Sequence, residues 1–224
     1  RNTTTDALAG IAVDEIVDPR PYAEILRPWT TLHPEFAFLP RKFKIAISGA
    51  KEDRAATGWH DVGLHLIKNE AGEIGFKVFV GGGMGRTPVV GTVIREFLPW
   101  NQIMNYIEAI VRVYNELGRR DNKYKARIKI LVKAEGQAYI DAVEEEYRVA
   151  ACFVDPVLPE IADVNPSLAE QALIDYAAKT PAFARWLTRN VHQHRNPQLR
   201  AVTLSFKRPG QAPGDASALQ LEAL

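Results

Sequence analysis

The run from Asp61 to Val80 constrains this chain more than any other stretch. Val62, Leu64 and Leu66 alternate with Gly63, His65 and Ile67, and Ile74, Phe76, Val78 and Val80 take up the alternation again after Asn69-Glu70-Ala71-Gly72-Glu73. A period of two belongs to a strand, and Gly72 in a polar connection supplies the positive φ of a tight turn. The sequence therefore predicts a hairpin with strands at 61–68 and 74–80. Shorter alternating runs predict strands at 42–48 (Phe43, Ile45 and Ile47 opposite Lys42, Lys44, Ala46 and Ser48) and at 127–133 (Ile128, Ile130 and Val132 against Lys129, Leu131 and Lys133). Helical spacing of Ile103, Ile107, Ile110, Val111, Tyr114 and Leu117 predicts a helix over 101–117, capped by Asn101 and closed by Gly118 at the C′ position. Tyr139, Ile140, Val143 and Tyr147 predict another over 136–149. The expected class is α+β: a mixed or antiparallel sheet with helices on one face.

Residues 1–38 are turn-rich, with Asp18-Pro19-Arg20-Pro21 excluding regular helix interior and Pro21 able to open a short helix through Ala23, Ile25 and Leu26. From 150 the character changes. Asp155-Pro156, Leu158-Pro159 and Asn165-Pro166 mark a linker, Ser167-Leu168-Ala169-Glu170 is a capping box opening a helix to about Lys179, and Thr180-Pro181 opens a further helix through Phe183, Trp186 and Leu187. Val202, Leu204 and Phe206 predict a strand, and a short apolar helix ends the chain after a break over 209–215. The expected division is 1–150, a helical linker over 151–198 and a last piece over 199–224. The start at Arg1 and the unfinished apolar close at Leu224 suggest an internal fragment of a longer protein.

A net charge of +1 provides no global field for nucleic acid or a membrane surface, so any anion site must be local. No apolar run spans a bilayer, and residues 1–10 do not read as a signal peptide. The single cysteine, Cys152, excludes an internal disulfide or multi-cysteine metal site within these residues and fits a reducing, cytoplasmic setting. His192 and His194 stand beside Arg195 with no carboxylate or cysteine to complete a metal set, so no metal is expected in this chain. Three features carry local chemistry. Lys42 and Lys44 share a strand face, and two like charges side by side suit a held anion as well as they suit a solvated strand end. Gly81-Gly82-Gly83-Met84-Gly85-Arg86 permits close backbone approach but is neither a Walker loop nor a dinucleotide fingerprint. Arg119, Arg120, Lys123, Lys125 and Arg127 place five cations in nine residues, either a solvated turn or a clamp on several carboxylates.

Taken together, Arg1-Asn2, Leu8-Ala9-Gly10-Ile11 leading to Asp14-Glu15-Ile16-Val17-Asp18-Pro19-Arg20-Pro21, Leu39-Pro40-Arg41-Lys42-Phe43-Lys44, Phe76-Lys77-Val78-Phe79-Val80-Gly81-Gly82-Gly83 and the basic segment after Gly118 resemble, in order and spacing, the sulfite and nitrite reductases that contain sirohaem and a [4Fe-4S] cluster. Residues 1 to about 150 resemble the first of that family's two catalytic repeats, and 199–224 the start of the next ferredoxin-like half-domain. The resemblance implies a six-electron reduction of sulfite to sulfide, or of nitrite to ammonia, with electrons from a ferredoxin or a flavoprotein. It implies that Lys42, Lys44 and Arg1 bind the anion, next to Asn2. It makes Arg41, Arg86, Arg120, Lys123, Lys125 and Arg127 candidates for the macrocycle carboxylates, with Gly81, Gly82 and Gly83 lying close to the ring. The second lysine suits sulfite, since nitrite reductases of the plant type typically carry Asn at the position of Lys44. Thr3-Thr4-Thr5 departs from the residues usual after Arg-Asn in the bacterial sulfite enzymes. The four cluster cysteines are absent from this chain, so alone it is expected to be inactive. The alternatives are a ferredoxin-dependent nitrite reductase, a non-catalytic anion- or tetrapyrrole-binding module, and a plain structural domain.

Overall fold

The computed structural model of the chain describes residues 2–150, 154–162, 180–207, 210 and 216–223. Arg1, Cys152 and the expected Ser167 helix lie outside them. The chain divides into two compact units, Arg1–Asp163 and Val164–Leu224.

The first unit is a mixed sheet with helices. Five strands, β1 (Thr3–Thr4), β2 (Ile45–Ser48), β3 (Val62–Lys68), β4 (Ile74–Val80) and β5 (Thr92–Pro99), stand in the order of the chain. β1 and β2, and β2 and β3, pair in parallel; β3–β4 and β4–β5 are antiparallel. The expected hairpin is present in full, with Val62 opposite Val80 and Lys68 opposite Ile74. Ladder pairing in the Lys42 stretch begins at Ile45, so Lys42 and Lys44 precede the strand. Ala46 and Ser48 are buried along with Ile45 and Ile47, so the second face of β2 is covered as well.

The helices are α1 (Arg20–Leu32), α2 (Pro34–Ala37), α3 (Ile103–Leu117), α4 (Ile128–Glu135) and α5 (Gln137–Ala150). Pro21 sits in the first turn of α1, where its missing N–H costs nothing, and the Asp18 carboxylate accepts the Arg20 N–H at 2.9 Å. Tyr22 and Leu26, one turn apart, face the core, and the Tyr22 ring meets Phe76 edge-on at 5.5 Å. α3 is buried nearly all round rather than along a stripe, as expected of a helix at the centre of a domain. Its Ile103, Ile107, Ile110 and Tyr114 share one core with Leu64, Leu66, Phe76 and Val78 of the sheet and with Tyr139 and Val143 of α5. Each such fully buried side chain contributes roughly 1.5–3 kcal/mol. The two buried polar residues of α3 have partners in place. Asn105 exchanges hydrogen bonds with the Val154 backbone at 2.9 Å, and Glu108 accepts from Arg112 at 2.5 Å.

Several sequence expectations are corrected here. The 127–133 run is helix α4, not a strand. Its Ile128 and Val132 are buried four residues apart, and seven residues of mixed apolar and basic character satisfy either period. β5 has no counterpart in the sequence expectations: register shifts against β4 at Phe76/Val78 and Val78/Phe79 interrupt its alternation, and of its eight residues only Ile94 and Leu98 are buried. Helix α3 follows a 3-10 turn over Trp100–Gln102, and its cap position is Gln102, not Asn101. Leu117 is exposed. Gly118 follows α3 with an extended backbone at φ −69°. A Cβ there would lie 2.4 Å from the Tyr114 carbonyl oxygen and 2.9 Å from Pro40 Cγ, so glycine is needed for close approach, not for a left-handed turn.

The second unit holds α6 (Pro181–Asn190), as the Thr180-Pro181 signal predicts, and an antiparallel pair, β6 (Val191–Gln193) and β7 (Arg200–Val202). The strand expected through Phe206 stops at Val202. The short helix α7 (Ala218–Glu222) carries a capping box from Ser217 to Gln220.

Two predictions concern stability. Gly118→Ala should destabilise the first unit by about 1–3 kcal/mol in urea unfolding, because the added methyl meets backbone and a proline ring. The second concerns the loop after β2, which Arg54 ties to Asp14 through contacts of 2.8 and 3.1 Å. The Arg54 hydrogen bonds, with the Glu52 N–H, lower the Asp14 carboxyl from its usual 3.8 to about 2. The folded value lies below the unfolded one, so the pair's stabilisation is present above about pH 4 and disappears as pH falls through about 2. Discounted for partial exposure, it is on the order of 1 kcal/mol. Asp14→Asn should lower stability by that amount at pH 7, and the difference from wild type should shrink steadily in melts between pH 4 and pH 2.

Candidate functional site

A cavity of about 320 Å³ in the first unit is lined by Arg41, Lys42, Met84, Arg86, Thr87, Lys123, Tyr124, Arg127, Lys129 and Ile130. Three segments far apart in sequence make its wall: the approach to β2, the loop after β4, and the connection from α3 into α4. Six of the ten residues are cations and none is acidic. Among the described residues, Arg127 alone of the six has a carboxylate partner. Like charges at this density repel one another, and each lowers the cost of bringing in a negative group.

That carboxylate is Asp61, wholly buried immediately before β3. Its Oδ1 accepts from Arg127 Nε at 3.0 Å and Nη2 at 2.6 Å, and its Oδ2 accepts the Lys44 backbone N–H at 2.9 Å. Burial pushes its carboxyl up, while the Arg127 guanidinium pulls in the opposite direction. Lys129, on the first turn of α4, is only 6 % exposed. It has no carboxylate partner among the described residues. Its ammonium donates to the carbonyls of Met84 at 3.1 Å and Thr87 at 2.7 Å, which ties α4 to the loop carrying Arg86. Burial, and after it the neighbouring Arg127 charge, push the Lys129 ammonium below its usual value. At the mouth, Tyr124 is exposed and the Lys123 ammonium lies 5.2 Å from its ring centre.

The sequence-derived candidates divide. Arg41, Lys42, Arg86, Lys123 and Arg127 come together around the cavity. Lys44 does not line it; it is half-buried, and its backbone joins Asp61 and, through its carbonyl, the Val62 N–H at 3.1 Å. Asn2 is brought beside this stretch by its carbonyl, which accepts the Ile45 N–H at 2.7 Å. Arg1 lies outside the described residues. Arg120 turns away to the Phe38 carbonyl at 2.7 Å and to Asn115, closing the end of α3, while Arg119 pairs with Asp121 at 2.5 Å. Lys125 is exposed and outside the lining. Gly81, Gly82 and Gly83 are buried and also outside it. A Cβ on Gly82 would lie 2.4 Å from the Gly58 carbonyl oxygen and 2.6 Å from that of His60, so protein backbone already fills the space at that position. Asp61, Lys129 and Tyr124 escaped the sequence reading. Lys129 was visible only as the polar side of a supposed strand, and on a helix the same residue turns to the cavity.

The model of the nitrite and sulphite reductase 4Fe-4S domain matches residues 1–149. The sulfite reductase [ferredoxin] 1 of Mycolicibacterium paratuberculosis is 33% identical over 141 residues, covering 62% of this chain and 25% of that protein. The chloroplastic ferredoxin–nitrite reductase of Arabidopsis thaliana is 28% identical over 141 residues, 61% of this chain and 24% of its own length. The structure of the Mycobacterium tuberculosis NirA protein superposes with a TM-score of 0.65 at 25% identity, covering 90% of this chain and 33% of that one. The chain thus spans about a quarter to a third of these relatives. With 149 of its 224 residues matched by the family model, and with that match taking in every residue around the cavity, this chain belongs to the nitrite and sulphite reductase 4Fe-4S domain family.

Proposed function

We propose that the chain is the first repeat of a sulfite reductase haemoprotein and that its cavity holds a polycarboxylate macrocycle and a small oxyanion. The observation that carries this is the cavity wall itself, in which five cations, Arg41, Lys42, Arg86, Lys123 and Lys129, have no carboxylate partner among the described residues. Such a wall asks for a ligand with several negative charges, and sirohaem, which the family implies, has them on its rim. When bound there, sirohaem would supply an iron centre for anion binding and electron transfer. The part of this chain is to bind and protonate. Lys42 and Arg41 present donors from the segment before β2, Arg86 from the opposite loop, and Lys123 and Arg127 from the approach to α4, so the ligand is gripped from three sides. The family resemblance adds Lys44, which stands outside the lining, and Arg1 to the anion pocket, with Asn2 beside them. Ammonium and guanidinium groups hold the sulfite oxygens, and the lysine ammonium groups supply protons as S–O bonds break.

The cluster does not fit this chain. A [4Fe-4S] centre takes four thiolates, and the sequence has one cysteine, Cys152. We place the cluster ligands elsewhere in the complete protein, of which residues 1–150 form the repeat, 151–198 a linker and 199–224 the opening of the next half-domain. A ferredoxin, the donor in the relatives' names, is the proposed electron source, in a reducing, cytoplasmic setting. No helix among the described residues is long and apolar enough to cross a membrane. The Arabidopsis relative makes nitrite the second reading, and Lys44 favours sulfite over it by adding charge for a doubly charged anion.

Three measurements bear on this. In the full-length, cofactor-loaded protein, Lys42→Met should lower kcat/KM for sulfite by about a hundredfold with the fold unchanged by circular dichroism; undiminished turnover would contradict the assignment. Lys44→Asn should move the sulfite/nitrite preference toward nitrite, and an unmoved ratio defeats the substrate choice. The present chain alone should give neither a cluster spectrum nor sulfite reduction driven by reduced methyl viologen.

A further inference from the structure

Asp61 lies behind the cavity wall rather than on it, and by charge alone it is the wrong residue to place there. A buried carboxylate held against one of the cavity cations opposes the entry of an anion. Its contacts point to a different role. The carboxylate receives the Lys44 backbone N–H and two guanidinium N–H groups of Arg127, and the Asp61 carbonyl receives the Gly81 N–H at 3.0 Å. One wholly buried residue is thereby bonded to three segments that hold the candidate site: the Lys42–Lys44 stretch, the glycine run that leads to Arg86, and the basic connection ending at Arg127. These segments are 17, 20 and 66 residues from it along the chain (61−44, 81−61 and 127−61). Both guanidinium contacts go to the same carboxylate oxygen, so the Arg127 side chain is held by its inner edge at the cavity wall.

We propose that Asp61 is the positioning residue of the cavity: it sets the backbone from which Lys42 and Lys44 project and fixes Arg127 where an anion meets it. This rests on the cavity being the anion site, and it adds a consequence that a simple charge count contradicts. Removing a negative charge from behind a cationic wall should tighten anion binding if charge alone matters. If position matters, the same change should weaken it, because Arg127 and the Lys44 backbone lose their anchor.

The test uses this chain and the polycarboxylate macrocycle uroporphyrin as the probe, titrated by fluorescence at several salt concentrations. Lys42→Met and Lys123→Met each remove a wall charge and should weaken binding. If neither does, the cavity reading fails, whatever Asp61 does. Given that they do, Asp61→Asn should weaken binding about tenfold and make the dependence on salt shallower, since Arg127 no longer engages the probe. Amide protection across β3 and β4, followed by hydrogen exchange, should persist. Equal or tighter binding by Asp61→Asn, or a steeper salt dependence, overturns the positioning role. Asp61→Glu covers the case in which the neutral variant does not fold. It keeps the charge and displaces Arg127, so weaker binding supports the proposal and wild-type affinity overturns it.

Discussion

Mutual repulsion among the cations around one cavity is the constraint to which the rest of the first unit answers. Arg41, Lys42, Arg86, Lys123, Arg127 and Lys129 converge from three segments, and only Arg127 meets a carboxylate among the described residues. The charges of that cluster oppose its assembly, so its geometry has to be imposed by other forces. The apolar core does this. α3, buried on nearly all sides, holds the sheet on one flank and α5 on another, and its end fixes Pro40 through the close contact at Gly118. The Tyr114 hydroxyl reaches the Ala126 carbonyl at 2.6 Å, so the core also fixes the residue immediately before Arg127.

Two buried polar residues translate that rigidity into side-chain positions. Asp61 works by charge-assisted hydrogen bonds to Arg127 and to backbone. Lys129 works without an ionic partner, its ammonium satisfied by the dipoles of the Met84 and Thr87 carbonyls. The cost of burying that ammonium is consistent with its lowered proton affinity. The same bonds hold the loop carrying Arg86, so one wall of the cavity depends on α4.

The legibility of the fold in the sequence depends on how local the determining forces are. The β3–β4 hairpin was legible because strict alternation and a glycine turn lie within twenty residues, and α3 and α5 because apolar spacing at 3.6 residues repeats over several turns. α4 was not, since the seven residues of the 127–133 run satisfy both periods and tertiary packing of Ile128 and Val132 decides between them. β5 was hidden by the irregular register that disturbs its alternation. For the site, the basic side chains were visible one by one, but their separation into wall residues and helix-end caps was not. Arg120 and Arg127 look equivalent in sequence; one closes α3 on backbone carbonyls and the other faces the cavity. Asp61 carried no signal at all, because its importance lies in partners 17 and 66 residues away.

The parallel pairing of β1 with β2 has a kinetic meaning. The β3–β4 hairpin closes over a short turn and can form early, whereas Thr3 reaches Ile45 only by closing a loop of roughly forty residues that contains α1 and α2. β1 offers two ladder residues in return, too few to hold that closure before β2 is already fixed beside β3. The edge where Asn2 docks is thus the part of the sheet whose closure costs the most chain entropy for the fewest ladder bonds, and it depends on β2 already being held beside β3.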